Sequence, residues 1–521
     1  MSEAHPDRRR LLLLTLTWGG QLFYLGTEAV DLDDGKGGTL PVLGTLDPIM
    51  ASEVLDLFNT QSFADSIPVE FALPDVGVCA RVVAGHPLSK AVGELARVFA
   101  DEAYTGREEI LTGRLRAPEY DSDGVIRASI EVVPRATPRL LPDPDVVITE
   151  DEWSSFAETS AGRVGQIVFG RPGVYVKEGG TLQGVPATPA YLVERVPDEV
   201  FVIAYHKVAA TVVEVFNTED GVSQNLPVTH VTDASGRTAA VATRVSATAW
   251  QPDDGYWVGW TQLTSGALYD EEIQGPLLAA GSVLRWLLQR AGGAVDLSRT
   301  RVAERMLQGI LLSGYMDTPT EVWPFLESEI LPLLPVSIVS GPEGAFPLVW
   351  DLTTDVHDAL PINIDLGDGE AVGPIRDADD EPPNTLRVSA VLDGGRNVYT
   401  RTLTLGTGVE GADSSHASRI AYQRDGELRE VVLETAYLYD RASQRRVCHH
   451  LMRRYGTTGT EVTYQLRPGF EGVRRGRAVA LTHGRRSFKE RLGWVTEVET
   501  PPSGQVQVTV WLKETVAGWK R

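Results

Sequence analysis

Four patches of this chain have residue types that invite chemistry. Cys448-His449-His450 has the composition of a metal cluster. On a helix, however, consecutive residues point about 100° apart and cannot converge on one ion, so core packing for Cys448 and an exposed or interface face for the histidines is expected. Asp31-Leu32-Asp33-Asp34-Gly35 has the look of a calcium loop. An EF-hand loop needs glycine sixth and a bidentate Glu twelfth, whereas here glycine is fifth and Val42 stands twelfth; a solvated turn follows. Asp365-Leu366-Gly367-Asp368-Gly369-Glu370 fails in the same way. The aromatic group Trp250, Tyr256, Trp257 and Trp260 is a candidate sugar-binding face, though in a β-rich block such residues are more often core or interface.

Patterns for other chemistry are missing. There is no Gly-x-Ser-x-Gly elbow, no His-Glu-x-x-His helix, no phosphate loop and no lysin-like Cys/His pattern. Carboxylate pairs for glycoside cleavage are set in three dimensions and are not legible here. The reading is a non-enzyme with no catalytic residue, no cofactor and no metal.

The elements that would carry these patches are mostly strands. Leu11–Leu14 after Arg8-Arg9-Arg10 imitates a signal peptide, but Thr15 and Thr17 interrupt it and Trp18-Gly19-Gly20 supplies a turn, so a hairpin of two strands is expected over 9–27. Ile126, Ala128, Ile130 and Val132 alternate with polar residues, the mark of a sheet with one buried face. Leu88–Phe99 has apolar residues at 88, 92, 95, 98 and 99, which fits a short helix. From Asp145 to about Leu268 short strands dominate. A helical stretch follows, with Leu284, Leu287 and Leu288 on one face. A second helix is capped by Ser298 and carries Val302, Met306 and Ile310. Near the end, Asp440 is placed to cap a helix over 441–455, whose Val447, Cys448, Leu451 and Met452 form one stripe; Arg453 and Arg454 suit the helix dipole and Gly456 stops it.

Prolines 134, 138, 142 and 144 and the acidic run Asp377–Pro383 divide the chain. The expected organisation is 1–135 an N-terminal β domain, 136–270 a β-rich middle, 271–380 a helical and mixed unit, and 381–521 a C-terminal β domain. The fold class is mainly β with α+β units, multi-domain. Its 521 residues suffice for several cores, two cysteines rule out a disulfide framework, and no apolar run is long enough for a membrane helix. The net charge of −23 argues against general nucleic-acid binding. It is uneven. Residues 419–521 hold 19 basic and 11 acidic residues, a net of +8, against 29 and 60, a net of −31, before them. Arg474, Arg475, Arg477, Arg485, Arg486 and Lys489 are therefore a candidate assembly interface.

The order of several motifs resembles one family. The Asp-started helix is followed by "VTYQLRPGFEGV", "GRAVALTH" and "GWVTEVE"; the opening "LTLTWGGQLFYLGTE", then "ILTGRLRAPEYDSDGVIRASIEVVP", "RVGQIVFGRPG" and "RWLLQRAGGAVDLSRTRVAERML" complete it. This series resembles the tail hub (baseplate hub or tail-tip) proteins of tailed bacteriophages. The resemblance implies two tube-like β-barrel domains, each with a packed helix, and a homotrimer forming a six-barrel ring. It implies as partners the tail tube and distal tail proteins, the tape-measure protein and tip or fibre proteins, with DNA only in transit. The implied location is the virion tail tip, after assembly in the host cytoplasm. A host-glycan-binding tip protein and a cell-wall hydrolase remain the alternative readings.

Overall fold

The computed structural model describes residues 10–47, 51–54, 66–73, 85–120, 125–131, 139–150, 153, 160–176, 182–195, 198–233, 236–245, 255–260, 268–270, 275–341, 343–350, 356–377, 383–406, 428–455, 459–467, 469–470, 473–500 and 506–513. The chain is multi-domain and mainly β, built on three large sheets. Each curls until one short segment pairs with both of its edges, which removes the open edge that an isolated sheet would present.

The N-terminal barrel places Gln21–Gly26, Arg10–Trp18, Val92–Phe99, Glu108–Tyr120, Val125–Glu131 and Ser66–Ala72 side by side. Residues 43–47 close it. On one side Gly26 N donates to Leu43 O at 2.7 Å and Leu46 N to Gly26 O at 3.0 Å; on the other Asp47 N donates to Glu70 O at 3.0 Å. Leu12, Leu14, Leu16, Phe71, Leu115 and Ile130 fill the interior. Leu11 and Leu13 point the other way, into a second small core under the Val30–Asp33 and Thr39–Val42 hairpin.

This double burial explains one misreading. Leu88–Phe99 is not a helix but a three-residue 3-10 turn at Leu88–Lys90 and the strand Val92–Phe99. Leu95 belongs to the barrel interior and Val98 to the hairpin core on the opposite face. A strand that changes its covered face along its length spaces its apolar residues by three, which imitates a helix.

In the middle barrel the order is Thr188–Pro189, Tyr256–Gly259, Val212–Asn217, Val222–Thr232, Thr238–Arg244, Glu199–Ala204, Tyr191–Glu194. The first and last members are one bent strand. Pro189 pairs with Trp257, and two residues on Tyr191 pairs with Val202, so residues 188–194 form the seam. Gln166 holds it from inside, its Nε2 donating to Pro189 O at 2.6 Å and to Ile203 O at 2.7 Å.

The C-terminal barrel runs Leu360–Asn363, Ala478–His483, Phe488–Thr500, Gln507–Lys513, Gly459–Leu466, Gly369–Ala371. Residues 360–371 leave one edge and join the other. Its interior holds Tyr464, Leu466, Val479, Leu481, Val508 and Val510.

The two terminal barrels share a plan. Counted from their third strand, each has a three-strand antiparallel meander whose last member pairs antiparallel with the strand preceding the meander: 92–99, 108–120, 125–131 back to 66–72, and 478–483, 488–500, 507–513 back to 459–466. They differ where they close. Arg10–Trp18 meets its neighbour antiparallel, whereas Leu360–Asn363 runs parallel to Ala478–His483. A further strand, Ala51–Val54, leaves the N-terminal half and pairs antiparallel with Glu497–Thr500 of the C-terminal barrel.

Between the barrels lies a helical core. The helix Ala280–Arg290 is buried along 280–288, with its polar Ser282 and Arg285 turned to Glu304 of the next helix. The next helix, Leu297–Met306, is capped by Asp296, whose Oδ1 accepts from Arg299 N at 3.0 Å; Ser298 instead donates its hydroxyl to that carboxylate at 2.8 Å. The expected stripe is only half present, since Val302 and Met306 are 47% and 48% exposed while Leu307 and Ile310 are buried. The helix Arg441–Tyr455 is as read: Asp440 Oδ2 accepts from Ser443 N at 2.7 Å, and Val447, Cys448, Leu451 and Met452 are buried. It packs on the Thr385–Asp393 and Val398–Gly406 strands and on the central helical core, not on the C-terminal barrel. Gly456 lies outside the described residues. No described helix is long and apolar enough to cross a membrane.

Candidate functional site

The acidic patches are structural turns. Asp33 Oδ1 accepts from Gly35 N at 2.8 Å, and Asp34 Oδ1 accepts from Lys36 N and Gly38 N at 2.7 and 2.8 Å, which closes the hairpin tip. The backbone amides of Gly38 and Lys36 lower the Asp34 carboxyl pKa. Asp365 Oδ2 accepts from Gly484 N at 2.8 Å, and Asp368 Oδ2 from Asn363 N at 2.7 Å. Carboxylates committed to their own backbone fix the loop that closes the C-terminal barrel.

Cys448 is fully buried in the central core. Burial, with Arg454 and Arg453 adding to it, lowers the His450 pKa to about 3, so the ring is neutral. Among the described residues no group of three His, Cys, Asp or Glu is placed to hold a metal ion.

The four aromatics separate. Trp260 is core: its indole Nε1 donates to Thr188 Oγ1 at 3.2 Å and the ring is 1% exposed. Trp250 lies outside the described residues. Tyr256 is buried edge-on against Phe201, with ring centroids 4.9 Å apart. Trp257, its neighbour on the same strand, is half-buried.

Tyr256 and Trp257 do share a cleft, but with residues that no sequence pattern singled out. It measures about 210 Å³ and is lined by Ser160, Arg163, Pro189, Ala190, Tyr191, Leu192, Tyr256, Trp257 and Asp317. It opens at the barrel seam, where Ala190 N still donates to Tyr256 O at 2.9 Å and Tyr191 already pairs with the opposite edge. Burial raises the Tyr191 hydroxyl pKa, with Asp317 raising it further and Arg163 opposing. Tyr315 is pushed up to about 12 by burial and by Asp317.

The basic candidates divide by exposure. Arg474, Arg477, Arg485 and Lys489 face solvent. Arg475 is buried, at 7% exposure, and so is not a surface group of the single chain. Arg486 is half-buried: its Nη2 donates to Gly373 O at 2.6 Å and its guanidinium lies 5.7 Å from the Tyr464 ring centroid.

No family model and no curated protein matches the sequence. Solved structures do match. One is the 43 kDa tail protein of prophage MuSo2 from Shewanella oneidensis, with 8% identity, 96% of this chain and 98% of that chain covered, and a TM-score of 0.39. Another is prophage tail protein gp18 from Listeria monocytogenes EGD-e, with 7% identity, 93% and 94% covered, and a TM-score of 0.33. A third is a Francisella PdpA–VgrG complex, with 5% identity, 99% of this chain and 60% of that chain covered, and a TM-score of 0.35. Prophage tail proteins are among its structural neighbours. At such identities and scores the likeness carries no function across.

Proposed function

We propose that this chain is a structural protein of a phage tail, a hub at the distal end that joins the tail tube to the tip or fibre apparatus and forms part of the DNA channel. The observation that supports this most is the relation between the two terminal barrels. They share a four-strand order and are tied by the pairing of Ala51–Val54 with Glu497–Thr500. Two like barrels held side by side let three copies of one chain present six similar barrels in a closed ring, each interface repeating the last. Such a ring would receive a six-fold tube at one face and a three-fold tip at the other. The acidic balance of residues 1–418 suits a channel through which DNA slides without sticking. No residue is assigned a catalytic role.

The test is the mass and shape of the full chain. Light scattering should give three times 56.7 kDa, and electron microscopy should show six barrel densities around an open centre that dock on purified tail tubes. A monomer that ignores the tubes would overturn the proposal.

A further inference from the structure

We propose that the seam of the middle barrel is a saccharide-binding site that takes a single pyranose ring. The reading is independent of the hub assignment. It starts from the way the barrel closes. One bent strand serves both edges, and where it changes partner, at Ala190 and Tyr191, the wall parts into the cleft. The opening is rigidly framed. Gln166 clamps Pro189 O and Ile203 O from within, and Ser160 Oγ donates to Leu192 O at 2.7 Å from the rim. A site on a closed barrel loses little freedom when a ligand arrives.

The lining is divided in the way a sugar is divided. Trp257 and Pro189, a cross-strand pair, offer apolar and aromatic surface, against which the C–H face of a pyranose packs. Arg163, Tyr191 and Asp317 line the same cleft with hydrogen-bonding groups, and Asp317 and Arg163 act on the Tyr191 hydroxyl in opposite senses. Arg163 is a donor only, Asp317 an acceptor only, and the Tyr191 hydroxyl serves as either. Vicinal hydroxyls of a ring, each both donor and acceptor, can satisfy all three. Among the described residues no ion pair joins Arg163 to Asp317 and no hydrogen bond engages the Tyr191 hydroxyl; Asp317 Oδ1 accepts from Thr318 Oγ1 at 3.2 Å. These groups therefore face the cleft with capacity to spare. A volume of about 210 Å³ lies below the range of roughly 300–1,000 Å³ that holds drug-sized ligands, and suits one ring rather than a chain.

The experiment is saturation-transfer NMR on the full-length protein. The probes are methyl glycosides of neutral hexoses, an N-acetylhexosamine and a uronic acid, with free amino acids as the zwitterionic rival. At least one pyranose should show transfer at millimolar concentration. Asp317→Asn and Arg163→Gln should each weaken it roughly tenfold, and Tyr191→Phe by less, since a hydrogen bond to a charged group contributes more than a neutral one. Circular dichroism checks that each variant keeps its fold; Arg163 is exposed and Tyr191 and Asp317 are half-buried. Transfer to no pyranose, transfer unchanged by all three substitutions, or binding of amino acids in place of sugars would each overturn the proposal. Sugar binding by a protein that fails to trimerise would sink the hub reading and leave this one standing.

Discussion

Arg244 and Glu199 stand directly opposite each other on adjacent strands of the middle barrel, Nη1 to Oε2 at 2.6 Å, with side chains 10% and 5% exposed. Arg244 also donates from Nε to Gln224 Oε1 at 3.0 Å, so the pair ties three strands. Two charges taken from water gain little net over an apolar pair, but removing one partner strands the other. Glu199→Ala should therefore cost about 3–5 kcal/mol, read as a lower denaturant midpoint of the middle-barrel transition. A shift worth less than about 1 kcal/mol would mean that water reaches the arginine.

His206 predicts the sign of an acid response. Its Nε2 accepts from Val168 N at 3.0 Å, which leaves Nδ1 as the donor to Lys207 O, also 3.0 Å away. Burial lowers its pKa to about 4, with His230 and Arg290 adding to the effect against the hydrogen bond to Lys207 O. The folded value lies below the unfolded one of about 6.5, so the unfolded chain binds more protons between them. Stability is complete above pH 6.5 and falls as pH drops toward 4, by about 3 kcal/mol from this residue. His206→Gln should flatten that slope in unfolding curves taken from pH 7 to 4.5; an unchanged slope would assign the acid sensitivity elsewhere.

What could be read in advance was what is local. The helix Arg441–Tyr455 was legible because its stripe and its cap at Asp440 lie within one stretch of chain. Asp296 and Ser298 are both capping types two residues apart, and only the geometry decides between them. The strand Val92–Phe99 was misread because its two faces meet different cores, a fact of tertiary packing. Barrel closure by residues 43–47, 188–194 and 360–371 leaves no local signal, since those segments are short and each serves two partners. The cleft was half legible. Tyr256 and Trp257 announce themselves as aromatics, whereas Arg163, Tyr191 and Asp317 come from three separate segments and meet only in the fold.

The basic C-terminal surface needs a sorted test. If exposed Arg485 and Lys489 meet acidic surface on a neighbouring subunit or tail protein, the double substitution to Glu should slow trimer assembly and make it salt-sensitive while the chain stays folded. Arg486→Glu should behave differently. It removes the contact with Gly373 O, sets a carboxylate beside that carbonyl and abolishes the cation over Tyr464, so it should lower the melting temperature itself. Equal assembly rates for the Arg485/Lys489 variant and the parent at low salt would remove these residues from the interface.

The pairing of Ala51–Val54 with Glu497–Thr500 yields the last prediction, because the hub reading leans on it. The register sets Ser52 opposite Glu499 and Glu53 opposite Val498. In an antiparallel ladder alternate residues direct their N–H toward the partner, so of two consecutive positions one donates across the gap. Proline has no N–H and is excluded from the interior of a paired strand. Of the two variants Ser52→Pro and Glu53→Pro, one should therefore break the link and the other should be milder. The damaging variant should leave the C-terminal barrel folded, since that barrel keeps Gln507–Lys513, Gly459–Leu466 and Ala478–His483 around Phe488–Thr500. It should raise amide exchange along residues 497–500 and reduce trimer yield, because the two barrels would no longer be presented at a fixed spacing. If both variants exchange and assemble like the parent, the barrels are not coupled through this strand, and the six-barrel ring loses its structural basis.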